Sequence, residues 1–250
     1  MKLVVETFSL IIVLLAVAFA FGRLHEKYSL FYPSREQVAV PADFGLSTDD
    51  IFIESGKDGE KIHAWHFKTS APPATGALTI FYAHGNAGNN SDRLEVIKGY
   101  VENGFNVFIY DPRGYGKSTG KPSRSNFIED AFAAYDFLIG KQSVDSNEVI
   151  ILGQSLGGVP ALRLAINRKC RAIVLEGAFY SIRQMARDIF GVIPIWILAS
   201  SDYDNAREIV KLKVPVLFIH GTSDGVVPFH NSEMLYEIAP EPKEFLKVEG

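Results

Sequence analysis

Gly153-Gln154-Ser155-Leu156-Gly157 places a serine, with a glycine two residues to either side, between an apolar run ending at Leu152 and a stretch of helical spacing beginning at Leu156. A sharp strand-to-helix turn of this kind holds the serine in a strained backbone conformation, and small residues at Gly153 and Gly157 let strand and helix pass close by. The serine oxygen is then presented at the amino end of a helix, where the dipole favours developing negative charge. The chemistry this arrangement suits is acyl transfer. It requires a histidine to take the hydroxyl proton and a carboxylate to hold that imidazole in the correct tautomer.

The elements that must position such a site follow from the hydrophobic pattern. Asp50 to Glu54 and Lys61 to Phe67 flank Lys57-Asp58-Gly59, a hairpin turn signal between two alternating runs, and read as antiparallel leading strands. Ala71-Pro72-Pro73-Ala74 breaks the chain, and Ala77 to Ala83 follows as a buried strand. Asn106 to Tyr110, Val149 to Leu152, Ala172 to Leu175 and Val214 to Ile219 are short apolar runs of the sort found in parallel strands covered on both faces. Arg93 to Glu102, Asn126 to Leu138, Leu156 to Asn167 and Asn231 to Ala239 carry helical spacing between them, which implies right-handed βαβ units. The expected class is α/β with a mostly parallel central sheet and helices on both faces, spanning residues 50–250 after a linker at 28–49.

Several motifs resemble the α/β-hydrolase superfamily from Tyr32-Pro33 onward, and most of all its membrane-anchored, bud-emergence-type branch. His84-Gly85-Asn86-Ala87-Gly88-Asn89 follows the third strand, where the resemblance implies a turn whose backbone helps form an oxyanion hole; Asn86 N–H and Leu156 N–H would be that pair. His84 is read as holding this turn and not as a base. Asp111-Pro112-Arg113-Gly114-Tyr115-Gly116-Lys117-Ser118 is similar to the family's D-x-R-G-x-G-x-S loop, in which Asp111 and Arg113 brace the structure under the nucleophile. His220-Gly221-Thr222-Ser223-Asp224-Gly225-Val226-Val227-Pro228 matches the pattern H-G-x-x-D-x-x-V-P and makes Asp224 the expected acid, with Glu176 its rival at the end of the preceding strand. The order Ser155 then Asp224 agrees with a superfamily in which the histidine comes last.

None of the six histidines suits that role. His25 lies beside the N-terminal apolar segment, and His63 and His66 lie on the second strand, at the amino-terminal side of the domain. His84 and His220 end strands whose following residues have other tasks. His230 follows Asp224 too closely to face it across the site. The resemblance puts the histidine in a turn just after the last strand, read here as Glu244 to Val248, and the sequence stops at Glu249-Gly250. The expectation is a chain truncated at its carboxyl end, with the histidine beyond Gly250, the final covering helix missing and little activity of its own.

Between the strands at Ala172 and Val214 the chain is longer than a plain crossover needs, so a small lid is expected over about 178–212. Phe179-Tyr180 and Phe190 to Leu198, with Trp196, would supply its apolar surface. At the other end, Phe8 to Phe21 is apolar apart from Ser9, preceded by Lys2 and followed by Arg23 and Lys27. Residues 1–27 read as a signal anchor, or as a cleavable signal peptide because Ala18-Phe19-Ala20 fits the small-x-small pattern. The expected location is therefore a membrane by a single-pass anchor, or outside the cell after cleavage.

Composition removes other classes. A net charge of −4 with scattered Lys and Arg offers no basic surface for nucleic acid. A single cysteine, Cys170, forms neither an intramolecular disulfide nor a thiolate metal cluster. The leading functional reading is a serine hydrolase of carboxylic esters or thioesters that needs no metal or organic cofactor. Its substrate would be a small molecule, a lipid or an acylated protein. The alternatives are a serine peptidase and a non-catalytic, membrane-tethered binding or scaffold protein.

Overall fold

The structure, a computed structural model, describes residues 30–56, 59–70, 73, 76–191 and 202–250. The N-terminal apolar segment, the hairpin tip at Lys57-Asp58, most of the Pro72-Pro73 break and residues 192–201 of the expected lid, with Trp196, lie outside them.

Ten strands are described. β1 (Tyr32–Pro33) pairs with β5 (Ala87–Gly88) in a small parallel sheet. The remaining eight form one sheet in the order β10-β9-β8-β7-β4-β6-β3-β2. In it β2 (Ile51–Glu54) and β3 (Lys61–Phe67) are antiparallel, as the alternating leading runs predict. The others are parallel: β4 (Thr79–Ala83), β6 (Asn106–Asp111), β7 (Val149–Gln154), β8 (Ala172–Glu176), β9 (Val216–Gly221) and β10 (Lys243–Val248). The helices are α1 (Leu94–Glu102), α2 (Arg124–Gly140), α3 (Gly158–Asn167), α4 (Ile182–Phe190), α5 (Asn205–Ile209) and α6 (His230–Ile238). This is the α/β-hydrolase fold expected from the motifs.

Burial follows position in the sheet. All five residues of β4 and five of six in β6 are buried, which is why those strands read as unbroken apolar runs. One face carries a core of Phe81, Phe108, Ile151, Ile173 and Phe218 with side chains of α2, α3 and α6. The other packs Trp65, Tyr82, Ile109 and Leu152 against Leu94 and Ile97 of α1. Toward the β10 edge this second face opens: Val174, Leu217 and Ile219 are half-buried, and Leu246 and Val248 are exposed.

The chain leaves β4 for β6 on one side and returns to β7 on the other. That reversal creates a crevice outside the carboxyl ends of β4 and β7, the place where open α/β sheets bind ligands.

The described part of residues 28–49 is fastened to the domain. Tyr32 N–H donates to Asn86 O (2.8 Å) and Ser34 N–H to Gly88 O (3.1 Å). Residues Pro41–Phe44 form a short 3-10 turn.

Candidate active site

Ser155 sits at the carboxyl end of β7 with φ +50°, the left-handed region a side chain adopts only at a cost of order 1–3 kcal/mol. The helix does not start directly at Leu156. Ser155–Gly157 is a 3-10 turn, and α3 begins at Gly158. The two flanking glycines are required by proximity. A Cβ on Gly153 would lie 2.6 Å from Ala161 Cβ, and one on Gly157 would overlap the carbonyl oxygens of Ala83 and His84. Strand, turn and helix are thus pressed together at contacts only glycine permits.

The neighbouring strand delivers the second part. A Cβ on Gly85 would be 3.5 Å from Ser155 Cβ, so the turn after β4 lies against the nucleophile. His84 is 2% exposed, and its Nδ1 is 2.8 Å from Gly85 O. That carbonyl belongs to the peptide whose other end is the Asn86 N–H, so a proton on Nδ1 fixes the direction of the expected oxyanion donor. Asn86 O in turn accepts from Tyr32 N–H and from the Tyr115 hydroxyl (2.8 Å each). Burial pushes the Tyr115 hydroxyl up, which keeps it protonated and donating.

Beneath this turn runs a row of charged and ring groups. Asp111 is fully buried; Oδ1 accepts from Asn90 N–H (2.8 Å) and lies 3.4 Å from His84 Nε2, and Oδ2 lies 3.5 Å from His63 Nδ1. His63 Nε2 meets Asp50 Oδ1 at 2.8 Å, and Asp50 also accepts from Trp65 Nε1 and Lys117 Nζ. Burial opposes ionisation of Asp111, but its two histidine partners outweigh that and hold the carboxyl below its ordinary range. Asp50 is likewise lowered against burial, by Lys117, Trp65 and His63. Arg113 bonds Asp130 of α2 (Nε to Oδ1, 2.7 Å) and braces the same loop from outside.

The expected acid, Asp224, lies past the end of β9. Its Oδ1 accepts from Val226 N–H (2.8 Å) and Val227 N–H (3.0 Å), and its Oδ2 is 3.3 Å from His220 Nε2. Its side chain is 28% exposed, open enough to receive a further partner. The rival Glu176 is engaged elsewhere: Oε1 accepts from Gln154 Nε2 at 2.8 Å, beside the elbow.

Among the described residues no hydrogen bond joins a histidine to Ser155. His220 is buried between Ser232 Oγ (2.7 Å) and Val227 O (2.9 Å). His230 pairs with Asp188 of α4 (3.1 Å), and His66 bonds Gln142 (3.1 Å). His63 needs a correction. β3 runs antiparallel to β6, so the start of β3 lies opposite Asp111, at the carboxyl edge of the parallel strands. His63 is therefore on the same edge as the site, but held between two carboxylates with two strands, β4 and β6, separating β3 from β7.

One compact apolar cluster ties these parts together. It contains Phe31 of the N-terminal arm, Tyr115, Leu156 of the elbow, Phe179 and Val227 of the acid loop, with Ile182 and Met185 of α4 packed on it. Sequence reading missed two participants, the Tyr32 backbone and the Tyr115 hydroxyl. Tyr115 lies inside a recognised loop motif, but nothing local marks Tyr32, whose partner is 54 residues away. Among the described residues no three His, Cys, Asp or Glu side chains are grouped to hold a metal ion.

A doubly wound sheet carrying a strained serine at a strand-to-helix turn defines the α/β-hydrolase class. The family model described as alpha/beta hydrolase fold matches residues 79–197. Protein bem46 of Schizosaccharomyces pombe is 32% identical over 253 residues, covering 94% of this chain and 81% of that protein. The alpha/beta hydrolase domain-containing protein WAV2 of Arabidopsis thaliana is 34% identical over 219 residues, covering 81% of this chain and 70% of that one. With relatives this similar over most of their length, the chain belongs to the alpha/beta hydrolase family. Among solved structures, the Pyrococcus furiosus esterase Pf2001 superposes with a TM-score of 0.71 at 21% identity, covering 90% of each chain.

Proposed function

We propose that this protein is a serine hydrolase of carboxylic esters or thioesters, acting through an acyl-enzyme at Ser155. The observation that carries the proposal is the pairing of a left-handed Ser155 with a Gly85–Asn86 peptide pressed against it and pinned by His84. In the scheme an imidazole removes the hydroxyl proton as Oγ attacks the acyl carbon, and the oxyanion is taken by Asn86 N–H and Leu156 N–H. Removing one such donor typically costs about 3 kcal/mol of barrier. The same imidazole returns the proton to the departing alcohol or thiol, and water then hydrolyses the acyl-enzyme. Asp224 holds the imidazole, and the turn following β10, beside the acid loop at the carboxyl edge, is the position from which it would reach both partners. No metal or organic cofactor enters the scheme. The half-buried Ile182 and Met185 beside Leu156 favour an apolar acyl group.

In this reading the N-terminal apolar stretch, which lies outside the described residues, attaches the domain to a membrane as a signal anchor; the similarity to bem46 supports a place in the bud-emergence-type branch. Substrates would then be lipids or acylated proteins at that surface.

The test is labelling by a fluorophosphonate, with and without exogenous imidazole. Labelling of the chain and its loss in Ser155→Ala are expected. Equal labelling of both variants rules out Ser155 as the nucleophile. No labelling of either favours the non-catalytic scaffold.

A further inference from the structure

We propose that the carboxyl edge of the sheet, onto which the Ser155 elbow opens, is the face this protein lays against a lipid bilayer. The inference rests on the reading of the N-terminal apolar stretch as membrane-inserted and adds an orientation to it.

The first argument is the length of the tether. The apolar stretch ends at Phe21-Gly22, and the chain is already fixed at the site by Phe31 and Tyr32. Phe31 is 8% exposed and packs 5.5 Å from Phe127, while Tyr32 N–H holds Asn86 O. Residues 23–30 lie between the two. Fully extended, they reach at most about 28 Å. A domain of this size is about 40–45 Å across. The tether is shorter than the domain it carries and is attached beside the oxyanion turn, so the domain cannot turn its amino edge to the membrane while the carboxyl edge faces away.

The second argument is what that edge presents. Tyr32 (54% exposed) stands on the oxyanion turn, and Val226 (76%) lies two residues past Asp224. Ile189 (66%) and Phe190 (40%) end α4. In α4 the row Ile182, Met185, Ala186 and Ile189 follows helical spacing. Its first two apolar members pack on the cluster that holds Leu156 and Phe31, while Ile189 projects beyond it. Apolar side chains from three separate segments and the short tether to an apolar stretch converge on one edge. An acyl chain could pass from the bilayer to Ser155 without crossing bulk water.

The experiment uses the full chain on phosphatidylcholine vesicles containing a minority of phosphatidylserine and a lipid-borne quencher at shallow depth. An environment-sensitive dye is placed in turn on Ile189→Cys and Val226→Cys, and, at the amino edge, on Ile238→Cys and Glu148→Cys, the latter exposed just before β7 begins. The native Cys170 is buried, and burial pushes its thiol up to about 11, so it does not compete for label. Co-flotation with vesicles, with dyes at 189 and 226 quenched severalfold more than those at 238 and 148, is expected. Flotation with equal quenching at all four positions overturns the orientation and leaves the anchor standing. Failure to float overturns the anchor reading and the orientation with it. Shielding of the dye at 189 that rises with protein concentration in the absence of vesicles identifies a second copy of the chain as the occupant and also overturns the proposal.

Discussion

At the scale of single residues, the site depends on atoms that are absent. Gly157 lies where a Cβ would strike the backbone oxygens of Ala83 and His84, and backbone cannot move aside as a flexible side chain can. Gly157→Ala is expected to destabilise the fold by about 1–3 kcal/mol, the usual range for overpacking. Urea unfolding gives the number, and a loss below about 0.5 kcal/mol, the range of ordinary surface changes, would mean that the elbow has more room than its geometry implies. The GxSxG spacing made this pair of glycines legible in the sequence. The role of His84 was legible in part: the motif marked a turn, but only the fold shows the ring bonded to the carbonyl of the peptide that bears the expected oxyanion donor.

At the scale of elements, Asp188 forms a polar node that fastens α4 to the body. Asp188 accepts from Gln184 Nε2 (2.9 Å), Asn231 Nδ2 (2.8 Å) and the His230 ring (3.1 Å), joining α4 to the start of α6. Asp188→Ala removes all three, and bonds to a charged group are worth about 1.5–3 kcal/mol each in favourable cases. Amide exchange in α4 is expected to quicken roughly ten- to hundredfold while the global unfolding midpoint moves little; unchanged exchange in α4 would show that Ile182 and Met185 hold the helix without the node. The β10 strand gives a contrasting expectation. Leu246 and Val248 are exposed on the open face, whereas Phe245 on the other face packs on Phe218 and Tyr236. Leu246→Lys with Val248→Lys should change stability by no more than about 0.5 kcal/mol and slow aggregation, since charge on an exposed edge strand discourages pairing with another chain. Light scattering at matched concentration measures this, and aggregation at the parent's rate would show that the open face is not the adhesive surface.

At the scale of the whole molecule, the row His84, Asp111, His63, Asp50 and Lys117 links four stretches of chain into one electrostatic unit. Asp50 and Asp111 have folded-state pKa values below the ordinary carboxylate value of about 3.9. Their stabilisation is therefore fully present above that pH, declines as the pH falls below it and is gone once the pH has passed through the folded-state values. Chemical unfolding between pH 5 and pH 2 should show stability falling steeply, with a shallower fall in Asp111→Asn; parallel slopes for the two proteins would remove Asp111 from the acid response.

The sequence by itself determined every long strand, four of the six described helices, the elbow and the turns that flank it. Each of those is a local pattern: apolar runs in buried strands, helical spacing, or small residues at fixed offsets. It did not determine who meets whom. His63 reads as remote from the site until the antiparallel pairing of β3 with β6 brings it opposite Asp111, and Tyr32 has no signature until its backbone bonds Asn86. Those meetings join residues 48 and 54 positions apart. Contacts at such separations arise from the order of strands in the sheet, and only the tertiary structure supplies that order.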